Sequence, residues 1–378
     1  MKRFLILIVL VLAGCGESEE IAQETEEAVQ QTEDVFVQLE DSFMITEDEG
    51  ELLNNLKLIT DEQADIILAL YKTKLVLWDA NFVPLGLPLN GLNSITNHQA
   101  ETLGKVRYNR PKEFWLCTLY LNGLTSINEE QAKGLSKAES LELNGLTSIT
   151  DQQAESLSRV EDLYLNGLTS ITDEQAESLS KVSWRELNGL TSITDEQAES
   201  LSKAERLELN GLTSITDEQA ESLSKVKELY LNGLTSISDQ QAESLSKVKG
   251  YLYLNGLTSI TDEQAESLSK VEYLYLNGLT SITDQQAESL NSGEGLETNI
   301  HQNNRFYMEL NGLTSISNQQ AENLSKIGNL ELGGLTSITD EQAKSLRKTP
   351  FLVISDACYD VVSKYMKTGL TKASEKKY

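Results

Sequence analysis

The sequence predicts an α/β solenoid, in which one short unit is copied along the chain and neighbouring copies bury each other's apolar side chains. The first observation is a stretch of 17 residues, "LNGLTSITDEQAESLSK", which begins at Leu165 and returns at Leu187, Leu209 and Leu254. The second is the period of about 22 residues that separates most copies. The third is that a unit of this size cannot shelter its own leucines, so the copies must stack.

The Asn-Gly pair in each copy also raises the possibility of β-hairpins, because Asn-Gly is a strong hairpin signal. These pairs begin at Asn90, Asn122, Asn144, Asn166, Asn188, Asn210, Asn232, Asn255, Asn277 and Asn311, with weaker copies at Asn54 and Gly333. A hairpin requires alternating apolar residues directly after the turn. The residues that follow here, "LTSITDEQAESLSK", do not alternate, so the sequence favours stacked units over hairpins.

Each unit contains a strand and a short helix, as the copy from Val160 to Lys181 shows. Leu163 and Leu165 flank Tyr164, which is the inward, outward, inward alternation of a strand. Further on, Thr172 and Gln175 have the spacing of a capping box, and the acidic residues between them suit the positive end of a helix. The unit is therefore predicted to be a strand, a bend, a short helix and a return.

Spaced out, the apolar positions read V-x-x-L-x-L-x-x-L-x-x-I and then A-x-x-L, a pattern that resembles the leucine-rich repeat family from roughly Leu52 to Ile354. The resemblance implies a right-handed solenoid with a parallel β-sheet on the concave face and short helices on the convex face. Residues 51–355 would hold about 12 repeats, including an N-terminal cap around 66–83. Leu168 stands where the family normally has Asn or Cys, so the usual ladder of buried asparagines is expected to be missing.

The two ends of the chain are expected to lie outside the repeats. Residues 1–14 combine a basic start with a short apolar run, as a secretory signal peptide does. The "LAGC" that ends at Cys15 resembles the lipobox of bacterial lipoproteins, which implies a lipid on Cys15. An ordinary secretory signal with an incidental cysteine is the alternative. Residues 15–50 are predicted to be an acidic stalk, and 356–378 a C-terminal cap helix with a loose tail.

The resemblance to lipoproteins also predicts a location. Gly16 follows the cysteine, where lipoproteins retained at the inner membrane usually have an aspartate. We therefore expect a protein of the cell envelope that is lipid-anchored at the outer membrane. The periplasmic and the surface face of that membrane remain alternatives.

Composition restricts the possible partners and argues against an enzyme. The 378 residues carry a formal charge of −28, which repels nucleic acid and anionic lipid surfaces. The two histidines, His98 and His301, lie in irregular copies, and neither zinc spacing nor a phosphate loop is present. The repeated acidic pairs are interpreted as helix first turns rather than calcium ligands. We therefore predict no catalytic residue, metal or cofactor, and no disulfide between the distant Cys117 and Cys358.

The outward strand positions vary between Tyr and Glu while the frame around them is copied almost unchanged. Tyrosine is favoured at recognition surfaces because it offers a rigid ring and a hydroxyl group. The predicted ligand-binding residues are Tyr120, Tyr164, Trp184, Glu186, Glu208, Tyr230, Tyr251, Tyr253, Tyr273, Tyr275, Tyr307 and Glu309. The alternative is that Tyr suits strands and that Tyr and Glu keep an open sheet soluble.

These observations predict a lipid-anchored extracytoplasmic protein that binds a protein or peptide ligand, of basic character, on its concave face. The alternatives are a glycan-binding module and a structural envelope spacer without a specific ligand. Two irregularities are left open. Arg185 occupies a core leucine position, so either its stem reaches out to solvent or the strand slips and Trp184 turns inward. The insertion at 291–305 either shapes the site or is merely tolerated.

Overall fold

The structure, a computed structural model, describes residues 51, 53–73, 86–106, 117–292 and 306–376. The predicted signal peptide, Cys15, the acidic stalk, His301 and most of the insertion lie outside the described residues. No helix within the described ranges has both the length and the apolar character needed to cross a membrane. The chain divides into two compact units, residues 1–168 and 169–378, which are described in turn.

The first unit alternates short helices with strands of three residues. Its elements are α1 (Asp61–Thr73), β1 (Gly86–Pro88), α2 (Asn97–Leu103), β2 (Thr118–Tyr120), α3 (Glu129–Leu135), β3 (Ser140–Glu142), α4 (Asp151–Leu157) and β4 (Asp162–Tyr164). The four strands pair in parallel and in sequence order.

The second unit repeats the same alternation nine times. Its helices are α5 (Asp173–Leu179), α6 (Asp195–Leu201), α7 (Asp217–Leu223), α8 (Asp239–Leu245), α9 (Asp262–Leu268), α10 (Asp284–Ser289), α11 (Asn318–Leu324), α12 (Asp340–Leu346) and α13 (Asp356–Val362). Its strands are β5 (Trp184–Glu186), β6 (Arg206–Glu208), β7 (Glu228–Tyr230), β8 (Tyr251–Tyr253), β9 (Tyr273–Tyr275), β10 (Tyr307–Glu309), β11 (Asn329–Leu332), β12 (Phe351–Ile354) and β13 (Leu370–Lys372). The strands pair in parallel from β5 to β13 in sequence order.

The core of each unit lies between the sheet and the helices. In β8 the middle residue, Leu252, is fully buried, whereas the residues on either side of it project from the opposite face of the strand and are half-buried. From the helical side, Ala265 and Leu268 of α9 are also fully buried. Consecutive copies therefore stack their leucines into a continuous apolar layer. This arrangement confirms the predicted leucine-rich repeat fold class. The sheet face that points away from the helices is called the outer face below.

The predicted capping box is present, and its glutamine has a second role. In α7 the Thr216 hydroxyl accepts the Gln219 N–H at 3.0 Å, while the Gln219 side chain accepts the Thr216 N–H at 3.0 Å. The amide group of Gln219 also donates to the carbonyl of Ile193, in the preceding copy, at 2.9 Å. One residue therefore both starts the helix and joins it to its neighbour.

The Leu168 position carries no asparagine ladder, but the asparagines of the Asn-Gly pairs form one in its place. The side-chain carbonyl of Asn232 accepts the backbone N–H of Asn255 at 2.9 Å, and that of Asn255 accepts the N–H of Asn277 at 2.9 Å. The ladder residue is thus the asparagine of the Asn-Gly pair, which lies two positions earlier than in the family pattern. The ladder of the second unit ends where Asn311 accepts the N–H of Gly333, which has no side chain to continue it.

The sequence suggested a loose tail, but residues 370–376 are ordered in the structure. After the predicted cap helix α13, Gly369 turns the chain with a φ of +73°, and β13 pairs in parallel with β12. The Ser374 hydroxyl then donates to the Asp356 carboxylate at 2.6 Å. β13 thereby pairs backbone N–H and C=O groups of β12 that would otherwise lie at an open edge of the sheet.

Neither interpretation of Arg185 was correct. The strand does not slip, because Trp184 pairs with Arg206 and stays on the outer face, while Arg185 is only 1% exposed among the core leucines. Its guanidinium donates to the carbonyls of Leu179 at 2.6 Å and Leu201 at 3.1 Å. These carbonyls end two helices, where a cation is favoured. Burial lowers the pKa of Arg185 to about 9.

Candidate ligand-binding face

Three tyrosines on the outer face of the second unit form a stack. Tyr230, Tyr253 and Tyr275 are the last residues of β7, β8 and β9 and are paired in register. Their ring centroids are 3.9 Å apart at both steps, with interplanar angles of 7° and 18°. Since neighbouring strands lie about 4.8 Å apart, the rings lean together. Each inner ring face is covered by its neighbour, so a ligand would meet the edges of these rings.

Three further tyrosines widen the stack into a patch. Tyr251 and Tyr273 form a parallel pair at 4.2 Å, and Tyr307 tilts against Tyr275 at 5.4 Å. Burial raises the pKa of the phenols of Tyr230, Tyr275 and Tyr307 above the ordinary tyrosine value. These three phenols are therefore neutral and protonated at physiological pH. The name tyrosine patch is used below for Tyr230, Tyr251, Tyr253, Tyr273, Tyr275 and Tyr307, all of which were predicted site residues.

A cation closes the N-terminal end of the patch. The guanidinium carbon of Arg206 lies 3.7 Å from the centroid of Trp184 and 4.6 Å from that of Tyr230. Its Nη2 donates to Glu208 at 2.6 Å. Burial acts to lower the pKa of Arg206, but the bond to Glu208, together with the charge interactions with Tyr230, Glu208 and Glu228, raises it overall. Sequence reasoning missed Arg206, although a basic residue at an outward position beside aromatic copies is a visible signal.

A second cation closes the C-terminal end. Lys376 places its ammonium group 2.8 Å from Glu309, 2.7 Å from Glu331 and 2.9 Å from the Tyr307 hydroxyl. Burial acts to lower the pKa of Lys376, but its bonds to the two carboxylates raise it overall. The Tyr307 hydroxyl also bonds to both glutamates. This contact was not predicted, because the segment was expected to be loose.

The glutamates predicted to contact a ligand are largely engaged within the fold. Glu208 and Glu309 are only 8% and 7% exposed. Glu208 also accepts bonds from the side chains of Asn188 and Asn210 at 3.3 Å, and Glu309 from that of Asn277 at 2.8 Å. Outward glutamates thus brace the asparagine ladder. Both carboxylates are therefore already paired in the structure, Glu208 with Arg206 and Glu309 with Lys376.

The remaining predicted residues, Glu186, Tyr120 and Tyr164, do not belong to the patch. Glu186 lies half-buried on the outer face of β5, beside the end of the patch that Trp184 and Arg206 close. Tyr120 and Tyr164 belong to the first unit, where Glu142 stands between them in the register. The first unit accordingly separates its two predicted tyrosines, whereas the second brings six together.

A shallow depression continues the face beyond Tyr307. It has a volume of about 240 Å³ and is lined in part by Tyr307, Glu331, Phe351 and Val353. Phe351 is 58% exposed, which is unusual for a large apolar side chain in this protein. The C-terminal end of the tyrosine patch therefore adjoins both an acidic pair and an apolar surface.

His98, Cys117 and Cys358 are the histidine and cysteine residues within the described ranges. Within them, no group of three or more His, Cys, Asp or Glu residues could hold a metal ion. His98 uses one ring nitrogen, Nε2, to approach both Asp65 at 3.2 Å and Thr102 at 3.4 Å, so it cannot relay a proton between them. Cys117 and Cys358 are buried and are not joined in a disulfide in the structure.

The repeat architecture defines the class of the protein, a leucine-rich repeat solenoid. No family model and no curated protein matches the chain. Among solved structures, it is similar to an internalin, InlF, from Listeria monocytogenes, with 14% identity, a TM-score of 0.44 and coverage of 85% of this chain and 91% of that one. It is also similar to the leucine-rich repeat-containing protein LegL7 from Legionella pneumophila, with 14% identity, a TM-score of 0.42 and coverage of 67% and 90%.

Proposed function

We propose that this protein is a non-enzymatic binding protein that recognises a peptide segment of a protein partner on the tyrosine patch. The observation that carries the proposal is the ordered stack of Tyr230, Tyr253 and Tyr275 on an otherwise copied frame. Stacked rings are already held in place, so a ligand that binds them immobilises few side chains. The proposal keeps the predicted setting: lipid attachment at Cys15 at the outer membrane of the cell envelope.

The orientation of the rings supports a peptide over a glycan. Sugars bind aromatic side chains by lying on an exposed ring face. Both faces of Tyr253 are covered, by Tyr230 and Tyr275 at 3.9 Å each. The exposed edges instead present hydroxyl groups, which can donate to and accept from peptide N–H and C=O groups.

The charge around the patch refines the expected ligand. Glu208, Glu309 and Glu331, beside the stack, are paired with Arg206 or Lys376. Glu228, in register with Tyr251, lies 3.9 Å from Arg206. Contacts on the stack itself are therefore expected to be neutral. The formal charge of −28 still favours neutral or basic partners over acidic ones.

The test is a selection of random 12-residue peptides displayed on phage, using the full-length protein as bait. The double variant Tyr253→Ala/Tyr275→Ala serves for counter-selection. Peptides enriched on the native protein should bind it and lose at least tenfold in affinity, about 1.4 kcal/mol, on the double variant. The measurement is fluorescence anisotropy with the labelled peptides.

The matched control is Tyr120→Ala/Tyr164→Ala, which removes two tyrosines from the outer face of the first unit. It should leave peptide affinity unchanged, and circular dichroism should show both double variants folded. Equal binding by all three proteins, or no enriched peptide at all, would contradict the proposal and favour a spacer without a specific ligand.

A further inference from the structure

The C-terminal segment inserts a lysine into a preformed acidic pocket at one end of the tyrosine patch. The side chains of Glu309 and Glu331 are only 9% and 4% exposed, and Lys376 approaches both within 2.8 Å. The ammonium group also lies 5.6 Å from the ring centroid of Tyr307, within the range of a cation–π interaction. Two carboxylates, a hydroxyl and a ring therefore surround one cation.

The seat of this segment is built into the sequence. At the ladder position where most copies have asparagine, the chain has Gly333. A Cβ added there would lie 3.3 Å from the Ala373 side chain and 2.9 Å from the Asn311 side chain. Asp356 binds both the N–H and the hydroxyl of Ser374, and these bonds lower the pKa of Asp356. The last residues thus have a defined path to the pocket.

The pocket requires a cation, whichever molecule supplies it. Without one, the carboxylates of Glu309 and Glu331 would be two like charges on register neighbours of adjacent strands, which is unfavourable. The lysine that neutralises them comes from the last described residues, and its side chain is still 21% exposed. Such a contact can be exchanged for an equivalent one from another chain.

The adjoining depression supplies room for the rest of an incoming residue. It shares Tyr307 and Glu331 with the pocket and adds the exposed ring of Phe351. A lysine side chain combines an ammonium group with an apolar stem, so it matches an acidic pair beside an apolar surface. The depression opens on the outer face, where the tyrosine patch also lies.

We infer that Tyr307, Glu309 and Glu331 form a subsite for a lysine side chain of the peptide ligand, which Lys376 occupies in the free protein as an internal competitor. The inference rests on the proposed function, since it names the residue that the ligand presents at one end of the patch. The ligand's lysine displaces Lys376, and the segment from Leu370 to Lys376 then detaches. Occupation by Lys376 lowers the apparent affinity in proportion to the fraction of occupied molecules.

The test compares two labelled probe peptides, Gly-Ala-Lys-Ala-Gly and the same peptide with norleucine in place of lysine. Lys376→Met removes the competitor but keeps most of its stem. It should bind the lysine probe at least tenfold more tightly than the native protein does, and adding Glu331→Gln should abolish the gain. Lys372→Met is the matched control, because Lys372 pairs with the exposed Glu375 rather than with the pocket.

The native protein provides a second test that does not depend on the folding of a variant. At millimolar concentration, the lysine probe should increase hydrogen exchange at the amides of residues 370–374, whereas the norleucine probe should not. Equal binding of the two probes to Lys376→Met, equal binding of the lysine probe to Lys376→Met and the native protein, or unchanged exchange would overturn the inference.

The two proposals can fail separately. If phage-selected peptides depend on Tyr253 and Tyr275 but the probes show no effect of Lys376, only the lysine subsite is wrong. If Lys376→Met binds the lysine probe but no peptide is selected on the patch, the subsite stands and the wider peptide-binding function is wrong.

Discussion

The two ends of the tyrosine patch are closed by the same chemistry in two different ways. At one end Arg206 is bonded to Glu208 at 2.6 Å, and at the other Lys376 is bonded to Glu309 and Glu331 at 2.8 and 2.7 Å. Arg206 belongs to β6, which is paired with strands on both sides. Lys376 follows the last strand of the sheet. Arg206 is therefore held in place by its paired strand, whereas Lys376 can move away together with the terminal segment.

The layers beneath the two ends differ as well. Below the N-terminal end, the middle residue of β5 is Arg185, a buried cation. Below the C-terminal end, the middle residue of β10 is Met308, which is 5% exposed. The core therefore accommodates the charge of Arg185, because the carbonyls that end two helices accept hydrogen bonds from its guanidinium. The buried charge of Arg185 is expected to lower the free energy of unfolding, and this effect can be measured.

The largest effect is expected from Arg206→Ala at the fixed end. The change leaves the Glu208 carboxylate, 11% exposed, without its main partner and removes the cation from Trp184 and Tyr230. We expect the free energy of unfolding to fall by about 3 kcal/mol, measured from urea unfolding followed by circular dichroism. Lys348→Ala is the control, because Lys348 pairs with Glu322 only at 3.9 Å on the surface; it should cost at most about 0.5 kcal/mol. Equal losses of unfolding free energy in the two variants would show that Arg206 does not stabilise the N-terminal end of the patch.

A smaller effect, of opposite sign, is expected from Arg185→Leu beneath the same end. The Nε of Arg185 has no hydrogen-bond partner among the described residues, and the carbonyls of Leu179 and Leu201 each also accept a backbone N–H. Replacing a buried charge with leucine, as in most other copies, should raise the free energy of unfolding by about 2 kcal/mol. The same urea measurement checks this. A loss of stability would mean that the two guanidinium bonds outweigh the cost of burying the charge.

The smallest effect is expected from Tyr275→Phe, a change within the tyrosine patch rather than at its cationic ends. It is measured in alkaline solution. Burial raises the pKa of Tyr275, while a tyrosine in the unfolded chain ionises near pH 10. Above that pH the unfolded state has lost a proton that the folded state still holds, so the free energy of unfolding falls as pH rises. Tyr275→Phe removes this contribution and should lose less stability between about pH 9.5 and 11, with pH 7 as reference. Parallel losses in the two proteins would contradict it.

Much of the architecture could be predicted from one copy of the repeat. The alternation of Leu163, Tyr164 and Leu165 and the capping pair of Thr172 and Gln175 are local patterns. Each is set by residues a few positions apart, and repetition made each pattern easy to recognise. The clustering of tyrosines in the second unit followed as well, since equal positions in successive copies must become neighbours in a parallel sheet.

The parts that sequence reasoning missed or misread depend on contacts between distant residues. Asn232 and Asn255 form their ladder bond across 23 positions, and the family pattern pointed to a different residue. Lys376 meets Glu309 across 67 positions, with no periodic signal to announce it. Arg185 was misjudged because only the folded core shows that two carbonyls converge on its guanidinium.

The sequence by itself determined the period, the strand and helix of each copy, and the face on which the tyrosines lie. These follow from propensities and alternation within about 22 residues, which act before any long-range contact forms. Only the tertiary structure decided that the rings stack with their faces covered, that the glutamates are engaged, and that a terminal lysine closes one end. Those outcomes depend on the distances at which stacked copies bring separate side chains together, and no single copy contains that information.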